Sequence, residues 1–226
     1  MYLYETHLHT LPTSKCARAS VRENLEFYKS LGYKGVFITN HFIDGNISVD
    51  RRLPYEDKIN YFYEGCEEGK ALAKEIGLDV FEGLESTYQG TDFLVYGLSK
   101  EWFLAHPEIE SLKKSEELRL FMESGALVIQ AHPFRGSDYI DHIQLFPKVI
   151  HGVEIYNSNR TDFENRQAEI FCENYGLIPF AGSDNHAGAS QLHLGGMAFD
   201  TPLKDEQDFV TRILDSKGEI FKIVRE

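Results

Sequence analysis

Cysteine and methionine each occur only three times in 226 residues, and tryptophan once. Cys16, Cys66 and Cys172 are odd in number and widely spaced, which argues against a disulfide framework or a paired-cysteine zinc site and makes a reducing, cytoplasmic setting the expectation. No apolar run approaches the ~18 residues of a membrane span. Nor does the N-terminus show a basic stretch followed by an apolar segment, the mark of a secretion signal. Basic residues are also scarce: 23 Lys and Arg stand against 36 Asp and Glu, a formal charge of −13. A phosphate backbone would meet mostly repulsion, so double-stranded nucleic acid is not an expected partner. The surplus carboxylates suit a soluble surface, or a cleft that draws cations. Low-complexity tracts, repeats and Pro- or Gly-rich linkers are missing too, so residues 1–226 are expected to form a single domain.

What is present is a core. Hydrophobic residues make up 42% of the chain, with 16 Phe and 12 Tyr, enough to exclude disorder. Short apolar runs predict strands at "YLYETHLH", "GVFITN" from Gly35, "DVFEGLEST" from Asp79, "DFLVYGL" from Asp92 and "ALVIQA" from Ala126. Three more are expected at "GVEIYN" from Gly152, "IPFAGS" from Ile178 and "GMAFDT" from Gly196. Amphipathic stretches between them predict helices from Ser20, from Tyr55 to Ile76, from Ser115 and from Asp162. Ser20 and Glu23 make a capping box, and Gly32, Gly77, Gly125 and Gly176 follow periodic runs as helix-terminating glycines do. Strands alternating with helices predict about seven βα units, curved into a barrel or laid out as an open doubly wound sheet. The longest irregular segment is expected from Phe42 to Pro54.

Ligand-type side chains recur where these strands end. "ETHLHT" supplies His7 and His9, whose i, i+2 spacing puts both imidazoles on one face of a strand. "ITNH" supplies His41, "GLES" Glu85, "IQAHPFR" His132, and "AGSDNH" Asp184 and His186; Asp92 opens its strand in "GTDF". Each alone has a structural explanation, but in parallel α/β folds the strand ends converge on one site. His106, His142, His151 and His193 lie in helical or loop context and are expected to be structural. Imidazoles mixed with carboxylates suit Zn²⁺, Mn²⁺ or Fe better than Ca²⁺. One ion takes about four to six such groups, so eight candidates imply at least two ions, with Glu85 able to bridge neighbours.

At these residues the sequence resembles the PHP family, named for polymerase and histidinol phosphatase domains, over nearly its whole length. The motifs are HxH at His7 and His9, "ITNH", "GLES", "AHP" at His132 and "SDNH". The resemblance implies a distorted (β/α)7 barrel, TIM-barrel-like, that hydrolyses phosphoesters with two or three metal ions. It assigns His7, His9, Glu85 and Asp184 to one ion, Glu85 and His132 to a second, and His41 and His186 to a third. Two positions depart from the pattern. Asp92 stands where many members place a histidine, which makes the second ion's surroundings richer in oxygen and favours Mn²⁺ or Fe. "LPTSKCARAS" lacks the histidine that commonly completes the third site; Cys16 there either ligates or is a small buried apolar residue, as free cysteine usually is.

The implied reaction is hydrolysis of a small-molecule phosphate monoester by a metal-activated water. Arg135 leads the candidates for a bidentate contact to phosphate, ahead of Arg18 and Arg160, and Asp184 or His186 is placed to assist proton transfer. The loop after His41, with Phe42 and Tyr55, is expected to shape a pocket for the leaving group. Amidohydrolases also carry HxH on a barrel, but their barrels are generally longer and often bridge the ions with a lysine. A metal-binding regulatory module without turnover is the non-enzymatic alternative.

Overall fold

A computed structural model describes residues 1–225. Among the described residues the elements run β1 (Tyr2–Leu8), α1 (Val21–Ser30), β2 (Gly35–Ile38), α2 (Tyr55–Ile76), β3 (Asp79–Tyr88) and β4 (Thr91–Tyr96). They continue with α3 (Lys100–Ala105), α4 (Lys114–Glu123), β5 (Leu127–Ala131), β6 (Gly152–Asn157), α5 (Asp162–Tyr175) and β7 (Ile178–Gly182). The last are β8 (His193–Phe199), α6 (Glu206–Leu214) and β9 (Glu219–Val224), with short 3-10 turns at Pro107–Ser111 and Gly188–Ser190. All eight expected strands and four expected helices are present. The Ser20–Glu23 capping box forms on α1, and Gly77 and Gly176 end α2 and α5 in the left-handed conformation.

The strands make one mixed sheet in the order β7-β6-β5-β4-β3-β2-β1-β8-β9, bent into a nearly closed, distorted TIM-like barrel. It is not a run of seven βα units. β3 and β4 form a hairpin turned by Gln89 and Gly90, both at positive φ, as a two-residue turn needs to match the twist of its strands. β4 and β5 are antiparallel as well. β8 runs antiparallel to β1, and β9 to β8. The longest stretch without helix or strand is 132–151, between β5 and β6, rather than the loop after Phe42.

Closure between β1 and β7 uses side chains where a ladder would otherwise run. The buried Glu5 carboxylate accepts the amides of Thr6, His7 and Ser183 at 2.9–3.0 Å. Higher up, the Asn185 amide donates to His7 O and the His9 amide to Asn185 O, both at 3.1 Å. Gly182 permits the approach, since a Cβ there would lie 2.5 Å from that of His7 and 2.7 Å from Glu154 Oε1.

Side-chain alternation explains where the core and the site sit. Along β2 and its continuation, Phe37 and His41 share a parity; so do Phe81 and Glu85 on β3, and Tyr96, Leu94 and Asp92 on β4. Aromatic and aliphatic members of these rows fill the barrel's lower interior with Phe180, Phe199 and Phe209. Phe209 comes from α6, and its ring lies 4.2 Å from Phe37 and 5.1 Å from Tyr96. A second apolar layer joins the outer face to α1, α2, α4 and α5. The polar members of the same rows face the upper mouth. No helix among the described residues is long and apolar enough to cross a membrane.

Candidate metal centre

Glu85 is the hub of the mouth. The pairing of β2 with β3 continues past β2 through a bridge between His41 and Glu85, with the Phe42 amide on Glu85 O at 2.8 Å and the Glu85 amide on Asn40 O at 3.0 Å. The Glu85 carboxylate, 1% exposed, lies 3.3 Å from His7 Nε2, 3.5 Å from His9 Nε2, 2.7 Å from His41 Nδ1 and 3.2 Å from His132 Nε2. Asp184 Oδ1 reaches His7 and His9 at 3.5 and 3.4 Å and His186 Nδ1 at 3.2 Å. Three groups have ligand atoms within 4.8 Å of one another: His7, His9 and Asp184; His7, Glu85 and His132; and His9, His41 and His186. The structure thus brings together seven of the eight residues proposed as ligands.

Asp92 stays outside these groups. Because β4 is antiparallel, its first residues reach the same mouth as the ends of its parallel neighbours. There Asp92 Oδ2 is 3.9 Å from His132 Nε2 but 3.0 Å from Arg135 Nη2. Arg135 also donates to Gly90 O at 3.2 Å. The structure therefore pairs Asp92 with a guanidinium, where the sequence led us to expect an added oxygen ligand. Arg18 is exposed, its amide donating to His186 O at 2.8 Å. Of the three arginines, only Arg135 lines the cleft over the cluster.

A second layer, not anticipated from sequence, orients the first. Glu154 Oε1 lies 2.9 Å from His7 Nδ1, while its Oε2 accepts the His132 amide at 3.0 Å and Asn157 Nδ2 at 2.9 Å. Asn157 Nδ2 also reaches Asp184 Oδ2 at 3.2 Å. His9 Nδ1 sits 3.2 Å from Ser14 Oγ, which in turn donates to Asn40 Oδ1 at 2.8 Å. A carboxylate at Nδ1 of His7 and a hydroxyl at Nδ1 of His9 favour protonation there, leaving each Nε2 lone pair directed inward. His132 and Asp184 have positive φ, 26° and 53°, a cost of order 1–3 kcal/mol each that surrounding contacts must offset. The one signal for Glu154 in the sequence was an acid inside the apolar run "GVEIYN".

The charges are arranged unevenly. Burial alone would lower His7, but Glu154, Asp184 and Glu85 outweigh it and hold the imidazole well above its usual range. His9 is held well below its own by burial and by the neighbouring His186 and His41. Burial would raise Glu85, yet His41 and His7 keep it well below the ordinary carboxylate range. Asp92 is raised by burial and by Glu85. Cys16 Sγ lies 3.1 Å from His41 Nε2; burial opposes its ionisation, but His186 and His41 bring the thiol down to about 6.

These residues fit divalent cations. His41 Nδ1 and Glu85 Oε2 are buried and approach to 2.7 Å without an aligned hydrogen bond between them, which leaves both lone pairs free for a cation. His7 and His9 point their Nε2 atoms at each other across 3.2 Å, an arrangement that two lone pairs tolerate only with a cation or proton between them. The donor set mixes nitrogen and oxygen as transition-metal sites do. The cleft above, about 430 Å³, is bounded by Cys16, Asn46, Thr87, Gly90, Arg135 and Tyr139. Of the two residues expected to move a proton, Asp184 has both oxygens engaged, whereas the His186 side chain is 25% exposed.

Phe42 and Tyr55 are not at this cleft. Phe42 packs 5.1 Å from Phe62 and 5.0 Å from Phe103, and Tyr55 donates to Phe103 O at 2.8 Å. Phe42 instead lines a neighbouring cavity of about 470 Å³ beneath the 42–54 loop. His106 stacks on Trp102 at 4.0 Å, His151 Nδ1 accepts the Val128 amide at 3.2 Å, and His193 opens β8, where a helix or loop was expected.

No protein-family model matches the sequence, and no curated protein does. Solved structures match throughout. A two-domain protein from Bacteroides vulgatus containing a predicted PHP-like metal-dependent phosphoesterase superposes with a TM-score of 0.68 at 15% identity, over 97% of this chain. This chain spans 64% of that protein's length. PsfC from Pseudomonas syringae gives 0.65 at 18% identity, covering 99% of this chain and 91% of PsfC. A candidate metal-dependent phosphoesterase from Bifidobacterium adolescentis gives 0.59 at 14%, covering 96% of both chains. The fold is that of the PHP-type phosphoesterases.

Proposed function

We propose that this chain is a metal-dependent phosphoesterase that hydrolyses a phosphate monoester at the mouth of its barrel. The observation that carries this reading is the convergence of His7, His9, His41 and His132 on Glu85, joined through His9 to Asp184 and His186 in three overlapping groups of ligand atoms. Those seven residues would hold two or three divalent ions, Mn²⁺, Fe or Zn²⁺ by donor chemistry. Bound there, the ions would supply Lewis-acid charge and lower the pKa of a water towards ~7.

The chain's own contribution is orientation and charge. Glu154 and Asn157 fix the rotamers of His7 and Asp184. Arg135, tethered by Asp92 and Gly90 O at the cleft wall, offers a fixed guanidinium to phosphoryl oxygens, which such a fork can contact bidentately. Glu85, Asp92 and Asp184 also line the cleft, so a dianion would be drawn there by the bound ions, with Arg135 adding directional hydrogen bonds. Tyr139 at the rim adds an aromatic surface for the leaving group. Histidinol phosphate is one substrate to try, among nucleotide and aryl phosphates.

An amide-cleaving reading is suggested by similarity to an amidohydrolase from Chromobacterium violaceum (TM-score 0.53, 12% identity) with bound sulfate and no metal. Against it, no lysine among the described residues lines the cleft; Lys114, the buried lysine nearby, is tied to Asp44 and Glu117 at 2.8 and 2.6 Å. Orthophosphate release from a panel of phosphomonoesters tests the proposal, using chelated protein reloaded with Mn²⁺ or Zn²⁺ and a His132→Ala control. Release that needs metal and disappears in the variant supports it. Turnover of amides alone, or of nothing, overturns it.

A further inference from the structure

We propose that Cys16 is a thiolate ligand on the His41 and His186 side of this centre, giving it one soft, nitrogen-and-sulfur position beside the oxygen-rich ones. The inference rests on the metal-centre reading above and adds a donor to it. Cys66 and Cys172 each put Sγ near a backbone carbonyl, Ile38 O at 3.8 Å and Leu177 O at 3.2 Å. Cys16 differs: its sulfur lies against an imidazole, 3.1 Å from His41 Nε2, at the wall of the cleft.

Its position is built. The Lys15 amide donates to Asn46 O at 3.0 Å, the Arg18 amide to His186 O at 2.8 Å, and Ala17 closes a turn onto Ser14 O at 3.2 Å. Ser14 itself receives the His41 amide at 3.1 Å and bridges to Ile47. The segment bearing Cys16 is thereby fastened on one side to the strand extension carrying His41 and on the other to the loop carrying His186. An independent observation points to a cation at the same place. His9, His41 and His186 hold ligand atoms within 4.8 Å of one another, and His41, whose Nδ1 is turned to Glu85 Oε2 at 2.7 Å, presents its Nε2 to Cys16.

Three imidazoles and a thiolate favour zinc-like or cobalt ions over Mn²⁺ or Mg²⁺, which prefer oxygen. On binding, the S–H proton passes to solvent and a sulfur–metal bond replaces it, with no change of oxidation state. The centre would then hold unlike ions, a soft one by Cys16 and harder ones around Glu85 and Asp184.

Cobalt reports thiolate ligation directly. Apo protein titrated with Co²⁺ should develop a near-ultraviolet sulfur-to-cobalt charge-transfer band. Cys16→Ser should lose that band and bind one ion fewer by elemental analysis, with unchanged far-UV circular dichroism. A second measurement needs no variant: in wild-type protein, loading with Co²⁺ should slow alkylation of Cys16 at least ~10-fold, since a ligated sulfur is a poor nucleophile. Cys66 and Cys172 serve as internal controls by peptide mass mapping. Full cobalt content without the band, or unchanged alkylation, overturns the thiolate ligand and leaves the metal centre standing. Failure to take up cobalt at all overturns both.

Discussion

Replacing Arg135 by methionine keeps a flexible, unbranched stem but removes the guanidinium and its charge, which strands the carboxylate beside it. Asp92 is 2% exposed; Arg135 Nη2 lies 3.0 Å from Oδ2, while the next cationic candidate, His132, is 3.9 Å away. Leaving a buried carboxylate without its partner costs ~3–5 kcal/mol. The Arg135 side chain is 18% exposed, so water already screens part of the pair and the lower end applies, about 3 kcal/mol. Loss of the bond to Gly90 O adds about 1 kcal/mol. At roughly 2–4 °C per kcal/mol for a domain of this size, the combined loss of about 4 kcal/mol should lower Tm by ~8–16 °C. The assay is urea and thermal unfolding of chelator-treated protein, so that bound ions do not mask the effect. Asp92 is already raised by burial and by Glu85, so its protonation as pH falls should relieve the stranded charge and shrink the loss. Arg135→Met combined with Asp92→Asn should recover most of it. An Arg135→Met protein within ~0.5 kcal/mol of wild type near neutral pH would refute the reasoning. So would a double variant whose loss equals the sum of the single losses, because uncoupled sites add.

Asp184→Ala and His132→Ala should each reduce phosphate release by ~10²-fold or more with little change in far-UV circular dichroism; full activity in either contradicts the site. His106→Ala and His151→Ala should leave turnover near wild type, because both side chains bond only to backbone away from the cleft. Glu154→Ala frees the His7 ring and should weaken Mn²⁺ binding ~10–100-fold by calorimetric titration, and an unchanged affinity would dismiss its orienting role. Glu117 is raised from 4.5 to about 7 by burial, against the pull of Lys114. A raised carboxylate means the folded state keeps its proton longer, so this contribution is fully present below pH 4.5 and is lost as pH climbs towards 7, about 3 kcal/mol in all. Glu117→Gln should flatten that part of the urea-stability profile; an unaltered slope would show that Glu117 titrates normally.

Much of this arrangement could be read before the structure was known, for physical reasons. Strands with a row of aromatic and aliphatic residues that ends in His or Glu announce both a buried face and the place where burial stops. Direction was harder to read. The hairpin at Gln89 and Gly90 is a two-residue connection that no crossover helix could make, yet the apolar runs on either side look the same in a parallel or an antiparallel sheet. That hidden reversal is what delivers Asp92 to the mouth and into the reach of Arg135, 43 positions on. Glu154 and Asn157 were easy to pass over for a related reason: within a half-buried strand a polar residue reads as the solvent face, and only the closed barrel turns that face inward. β9 and α6 were missed because β9 is half-exposed with weak alternation, and Phe209 serves the barrel floor from outside the sheet. Phe42 stood next to a ligand in sequence and Tyr55 at the end of the same loop, but both pack away from the cleft.

The upper half of β1, beyond its pairing with β8 at Tyr2–Tyr4, presents a free edge to the edge strand β7, and Glu5 joins the two lower down with a carboxylate standing in for a carbonyl. Higher up, His7 and His9 belong to one edge and Asp184 to the other. A cation shared by those three would act as a clasp across the join, so loading the centre and shutting the barrel become one equilibrium. The amides of His7, His9 and Asn185 should therefore exchange with solvent more slowly in the loaded protein than in the stripped one, while the antiparallel hairpin on the opposite wall, far from any join, keeps its own pace.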